Sequence, residues 1–99
     1  MSSGVSKTRV GSFYGTGAIV EVRGVEFRPR KVQLINIDGL VTGEWVEGMA
    51  DGSVAKRVTA GTMTVPAANG ITPRSDGFDV GVDADLNASG ELVRWVAHE

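Results

Sequence analysis

The chain has 99 residues, a net charge of −2, 14 glycines and no cysteine. Such a length makes one domain with a thin core, burying roughly 65% of the surface its unfolded form exposes, and the lack of cysteine excludes disulfides and thiolate metal sites. No apolar run approaches the roughly 20 residues of a membrane span, and the slightly acidic balance gives nothing overall that favours nucleic acid.

Residues 1–8 are small and polar with one cation, Lys7, and are expected to form an extended N-terminal arm; residues 9–99 form the domain. The arm has no apolar core of a signal peptide, so synthesis in the cytosol is expected. Arg9 to Tyr14 reads as a first short strand, and Gly15-Thr-Gly17 as a turn. Ala18 to Val22 reads as a second strand that Gly24 to Phe27 extends after a kink, before Pro29 removes a backbone donor. Lys31 to Ile37 is the clearest buried strand: Val32 and Leu34 point one way, Ile35 and Ile37 the other. A strand apolar on both faces belongs inside a sandwich or at an assembly interface. Asp38-Gly39 turns the chain into Val41 to Val46, anchored by Trp45. Val54 to Val58 and Thr62 to Val65 are shorter strands, and Pro66 to Gly70 is a loop. Gly77 to Val82 and Glu91 to His98 flank a polar loop ending in Asn87-Ala-Ser-Gly90, which predicts a hairpin with a decorated tip. About eight short strands with turn signals between them predict an all-β domain, a single antiparallel β-sandwich with a jelly roll as one candidate form. The aliphatics together with Phe13, Tyr14, Phe27, Trp45, Phe78 and Trp95 are the core candidates.

Catalysis finds little support. The single histidine, His98, is the penultimate residue, at a chain end expected to be mobile. Without cysteine, a nucleophile–base arrangement must be built on that residue. Asp83-x-Asp85-x-Asn87 superficially offers oxygens to calcium, but it lacks the loop glycine and the closing glutamate of an EF-hand; Arg94 stands at the twelfth position. Turning the backbone is the better account of these residues. No cofactor or metal site is therefore assigned. Arg28-Pro-Arg30-Lys31 beside Phe27 is a compact basic cluster. A phosphate role competes with a structural one, in which Phe27 plugs one end of the core and Pro29 sets the turn; the acidic body favours the structural role. Gly15-x-Gly17 lacks the rest of a dinucleotide fingerprint. Asn87-Ala-Ser89 matches a glycosylation acceptor but has no secretory signal to give it meaning. Trp45 and Trp95 suit a core better than a sugar platform. Charge is segregated: residues 1–31 carry six cations and two anions, the remainder four cations and ten anions. Surface solubility explains this; pairing across subunits is the sharper alternative.

Asp76-Gly-Phe-x-Val-Gly-x-x-Ala-x-x-Asn-x-Ser-Gly90, followed by a strand with an aromatic before Ala97, resembles small β-rich virion proteins of tailed phages. Phe27-x-Pro29 ahead of Val32-x-Leu34-x-Asn36 matches the same pattern, and the likeness runs from Ala18 to Glu99. Proteins of this kind are capsid decoration (cement) proteins, head fibres and tail-associated modules. The resemblance implies a virion structural protein without enzymatic activity. The first expectation is a capsid decoration protein that binds and stabilises the shell of the major capsid protein, on the capsid surface. Ser2, Ser3, Val5, Lys7, Arg9, Arg28 and Arg30 are then the interface candidates. The second is a tail or fibre module that binds a host glycan; a small hydrolase is the weakest of the three. A short chain without staples, with an apolar two-faced strand, also predicts a closed homo-oligomer, a trimer or dimer, and neither nucleic-acid nor membrane partners.

Overall fold

The computed structural model describes residues 7–99. Nine strands follow in order: β1 (Thr8–Tyr14), β2 (Val20–Arg23), β3 (Lys31–Asn36), β4 (Val41–Val46), β5 (Ala55–Arg57), β6 (Met63–Thr64), β7 (Ile71–Arg74), β8 (Gly77–Val80) and β9 (Leu92–His98). They form two antiparallel sheets, one of six strands in the order β1-β9-β3-β4-β5-β6 and one of three in the order β2-β8-β7. The small sheet packs on the large one, so the fold is the small β-sandwich expected. Its unequal division, with β3 to β6 as a meander, differs from the eight strands and two Greek keys of a jelly roll.

Alternation of side chains builds the core. In β3, Val32, Leu34 and Asn36 are buried while Lys31, Gln33 and Ile35 are only partly covered. In β4, Val41, Gly43 and Trp45 face the same way. Opposite them lie Ile71 and Pro73 of β7 and Phe78 and Val80 of β8. Each fully buried valine, leucine or phenylalanine contributes about 1.5–3 kcal/mol. Val25, Phe27 and Pro29 alternate inward along the connection between β2 and β3, so Phe27 does plug the core and Pro29 lies buried at the entry to β3. Trp45 is buried and donates its indole N–H to the carbonyl of Ala50. Trp95 is partly buried and meets Phe78 edge to face, with ring centroids 5.4 Å apart.

Several expectations need correction. Gly77 to Val82 and Glu91 to His98 are not a hairpin: β8 is the middle of the small sheet and β9 lies in the large one, between β1 and β3. The hairpin partner of β8 is β7, reached through Ser75-Asp76. Pro73 hid β7; it is tolerated because β7 is an edge. Tyr14 is 65% exposed and lies outside the core. The β3 strand is buried on one face only, and Ile37 beyond it is 44% exposed. His98 is not at a loose end but pairs with Thr8 on one side and Lys31 on the other.

Candidate interaction surface

The segment 81–90 crosses from one sheet to the other, and it carries two of the buried polar residues, Asp83 and Asn87. Leu86 inserts over β4, where a Cβ at Gly43 would lie 2.6 Å from a Leu86 methyl. Asn87 is buried; its amide donates to the carbonyls of Ala18 at 2.5 Å and Gly81 at 2.9 Å, and its oxygen accepts from the N–H of Thr16. Asn36 does the same from β3, donating to the carbonyl of Asp85 and to Glu91 while accepting from the N–H groups of Asp38 and Gly39. Both asparagines replace backbone partners that loops cannot give each other.

Asp83 and Asp85 hold a cation, and that cation is Lys56. Its ammonium lies 3.0 Å from Asp83 and 2.7 Å from Asp85. β5 brings it there because Lys56 pairs with Gly43 and so points inward. Asp83 also accepts from the N–H groups of Asp85 and Leu86. Burial works against the charge on Lys56, but the hydrogen bonds to Asp85 and Asp83 and their negative charges outweigh it. Its pKa is held above the ordinary lysine value. The calcium-like spacing is thus spent on an internal ion triad and a backbone turn.

On the outer face of the small sheet, Asp79 sits between Arg23 at 2.9 Å and Arg74 at 2.7 Å. Desolvation would raise its pKa; hydrogen bonds from Arg74 and Arg23, with their charges, prevail and lower it. A shallow hollow of about 220 Å³ adjoins this group, with Thr72, Asn69 and Gly81 on its walls. Neither ion cluster offers a free acid or base, since each carboxylate already accepts from cations.

The described interface candidates gather at one end of the sandwich. Lys7 accepts a hydrogen bond at its carbonyl from the N–H of Glu99, and Arg28, Arg30, Glu47 and Glu99 line a hollow of about 320 Å³. Arg9 is ion-paired with Glu26, Arg30 with Glu47 at 3.4 Å, and Lys31 with Glu44 at 3.5 Å. The basic first third therefore meets acidic residues of its own chain: this end is mixed in charge, not a bare cationic patch. Ser2, Ser3 and Val5 lie outside the described residues.

Of the outer face of the large sheet, sequence patterning showed only the β3 row, Ile35 and Ile37. There Val10 faces Val96, and Tyr14 faces Leu92 with Ile37 alongside, its N–H bonded to the Leu92 carbonyl. Val10 is 71% exposed. Val10, Tyr14, Leu92, Val96, Ile35 and Ile37 are the apolar side chains of the β1-β9-β3 part of this face, set around the exposed Arg94, which lies between Ser12 of β1 and Ile35 of β3; Glu44 and Arg57 mark the part toward β6. Exposed apolar side chains gathered on one face mark an interaction site. Only strand pairing reveals the whole of it, because its residues come from three separate segments.

Comparisons with models of known protein families, with curated proteins and with solved structures return no match.

Proposed function

We propose that the chain is a structural protein of a tailed-phage virion, a capsid decoration protein that binds and stabilises the shell of the major capsid protein. The observation that carries this is the group of exposed apolar side chains on the outer face of β1, β9 and β3, Val10, Tyr14 and Ile37 among them, gathered around Arg94. A small sandwich with one such face suits docking rather than turnover. The resemblance of residues 76–97 to phage virion proteins points the same way. The small, polar residues 1–8 supply an arm in this reading, whose contacts on the shell add affinity without new core. After synthesis in the host cytoplasm the protein acts on the capsid surface, as a closed oligomer, with no cofactor and no nucleic-acid or membrane partner.

The tail or fibre alternative draws less support. A glycan platform on the two tryptophans is not available, because Trp45 is buried and Trp95 turns its ring to Phe78. The test is reassembly. Phage heads lacking the protein are titrated with the full chain and with Ile37→Glu, which places a charge on the apolar face. The full chain saturates the heads and raises their rupture temperature, and Ile37→Glu binds more weakly with an unchanged melting temperature. Heads that take up neither protein refute the proposal.

A further inference from the structure

The sandwich has four sheet edges, and they are not alike. β6 has two residues, β7 contains Pro73, and β2 is four residues long with Glu21 and Arg23 on its exposed face. Short length, proline and charge are the usual guards against strand pairing. β1 lacks the first two and carries little of the third. It is seven residues long, without proline, and Arg9 is its one charge.

Its ladder shows which backbone groups are free. Gly15 donates to Glu91, and Glu99 donates to Lys7. Because antiparallel pairs alternate, the odd-numbered residues of β1 bond to β9. The N–H and C=O groups of Thr8, Val10, Ser12 and Tyr14 therefore point away from the sheet. No other described strand pairs with them.

We infer that β1 pairs antiparallel with β1 of a second copy, about a two-fold axis at Gly11, joining two six-stranded sheets into one. This deepens the self-association proposed above and does not depend on attachment to a capsid. In this register Thr8 faces the partner copy's Tyr14, Val10 its Ser12, and Gly11 its Gly11. All four outward residues of each strand then exchange both hydrogen bonds, and no free backbone group is left. The side chains agree with the pairing. Tyr opposite Thr is an aromatic–β-branched pair, Ser meets Val, and Arg9 meets Phe13 on the inner side. No like charges oppose each other. At the axis neither strand has a side chain, and Trp95 fills the space: a Cβ on Gly11 would lie 2.5 Å from its ring. The two-fold at Gly11 sets unlike side chains against each other at every position but its own, small against large at Thr8 and Tyr14, so the strand is complementary to its own copy. Isologous closure also stops growth at two copies, in place of a filament. Since the charged pairs near this edge are satisfied within one chain, salt should change the association little.

The test is sedimentation of the full chain at micromolar concentration, with two variants. Val10→Pro removes an N–H that β9 does not use, so the fold survives while the seam loses a donor in each copy. Val10→Lys with Ser12→Lys keeps every backbone group but sets lysine against lysine twice. It decides the matter should the proline variant not fold. The wild type should sediment at twice the 10.4 kDa chain mass, and the folded variants should associate at least about tenfold more weakly. The absence of cysteine permits a check of register. Val10→Cys with Ser12→Cys should cross-link two chains on oxidation, whereas Thr8→Cys with Ser12→Cys should not. A monomeric wild type overturns self-association altogether. A dimer that persists in the lysine variant, or cross-links equally in both cysteine variants, overturns this seam while leaving self-association standing.

Discussion

Lys56→Met removes the ammonium of the internal ion triad and keeps most of the stem. Asp83 is then stranded, with its side chain only 7% exposed. Asp85, at 43% exposed, is hydrated and suffers little. Taking one partner from a buried pair costs about 3–5 kcal/mol. Asp83 keeps two backbone donors, the N–H groups of Asp85 at 2.9 Å and Leu86 at 3.1 Å, so the lower end, about 3 kcal/mol, is expected. For a domain of this size that lowers the melting temperature by about 12–24 °C. Adding Asp83→Asn should restore more than half of the loss, because an asparagine oxygen still accepts from both N–H groups and carries no charge to bury. Urea unfolding followed by tryptophan fluorescence measures all three proteins. A loss under about 1 kcal/mol for Lys56→Met, or a double variant weaker than the single one, would refute the reasoning.

Further outcomes follow from other parts of the fold. Trp45→Ala should cost about 3–5 kcal/mol, and Trp95→Ala less because its ring is only partly buried, both read from denaturant midpoints. Gly77→Ala should be among the most damaging small changes, since its Cβ would lie 1.9 Å from the carbonyl oxygen of Val22 on β2; a melting curve like that of the wild type contradicts the packing. Asp79, whose pKa is lowered from 3.8, contributes stability that is present above that ordinary value and is lost as pH falls through the lowered one. Asp79→Asn should therefore flatten the acid limb of a stability–pH profile. Lys56 acts at the other limit: its raised pKa makes its contribution complete below the ordinary lysine range and lost as pH rises through the raised value. Deleting residues 1–6 should leave the melting temperature nearly unchanged and weaken attachment to phage heads, as read by co-sedimentation.

The parts legible in the sequence were those written in local alternation. Val32-x-Leu34 and Trp45 declare their strands and their buried face without outside help. Phe27 and Pro29 were legible because a proline ahead of an apolar run has few other uses. The errors arose where a distant partner decides. Ile35 and Ile37 are as apolar as Val32, but β9 and β4 leave their face uncovered. The series from Asp83 to Asn87 looked like a turn between two strands of one sheet. It is a crossing between sheets, and Asp83 and Asn87 are buried because Lys56, Thr16 and Ala18 come from far along the chain to meet them. β7 was lost to Pro73, whose rule against strands has an exception at edges that a sequence does not mark. The free edge of β1 had no local signal, and the exposed face had only the second apolar row of β3, Ile35 and Ile37; the rest of both depends on which strand lies beside which.

The proposed virion role is tested most directly by electron cryomicroscopy of tailed-phage particles assembled in the presence of this chain. Density for the six-plus-three-stranded sandwich is expected on the outer capsid lattice, with its β1-β9-β3 face against the major capsid protein. Density confined to the tail, or purified particles that contain no copy of the chain, would contradict it.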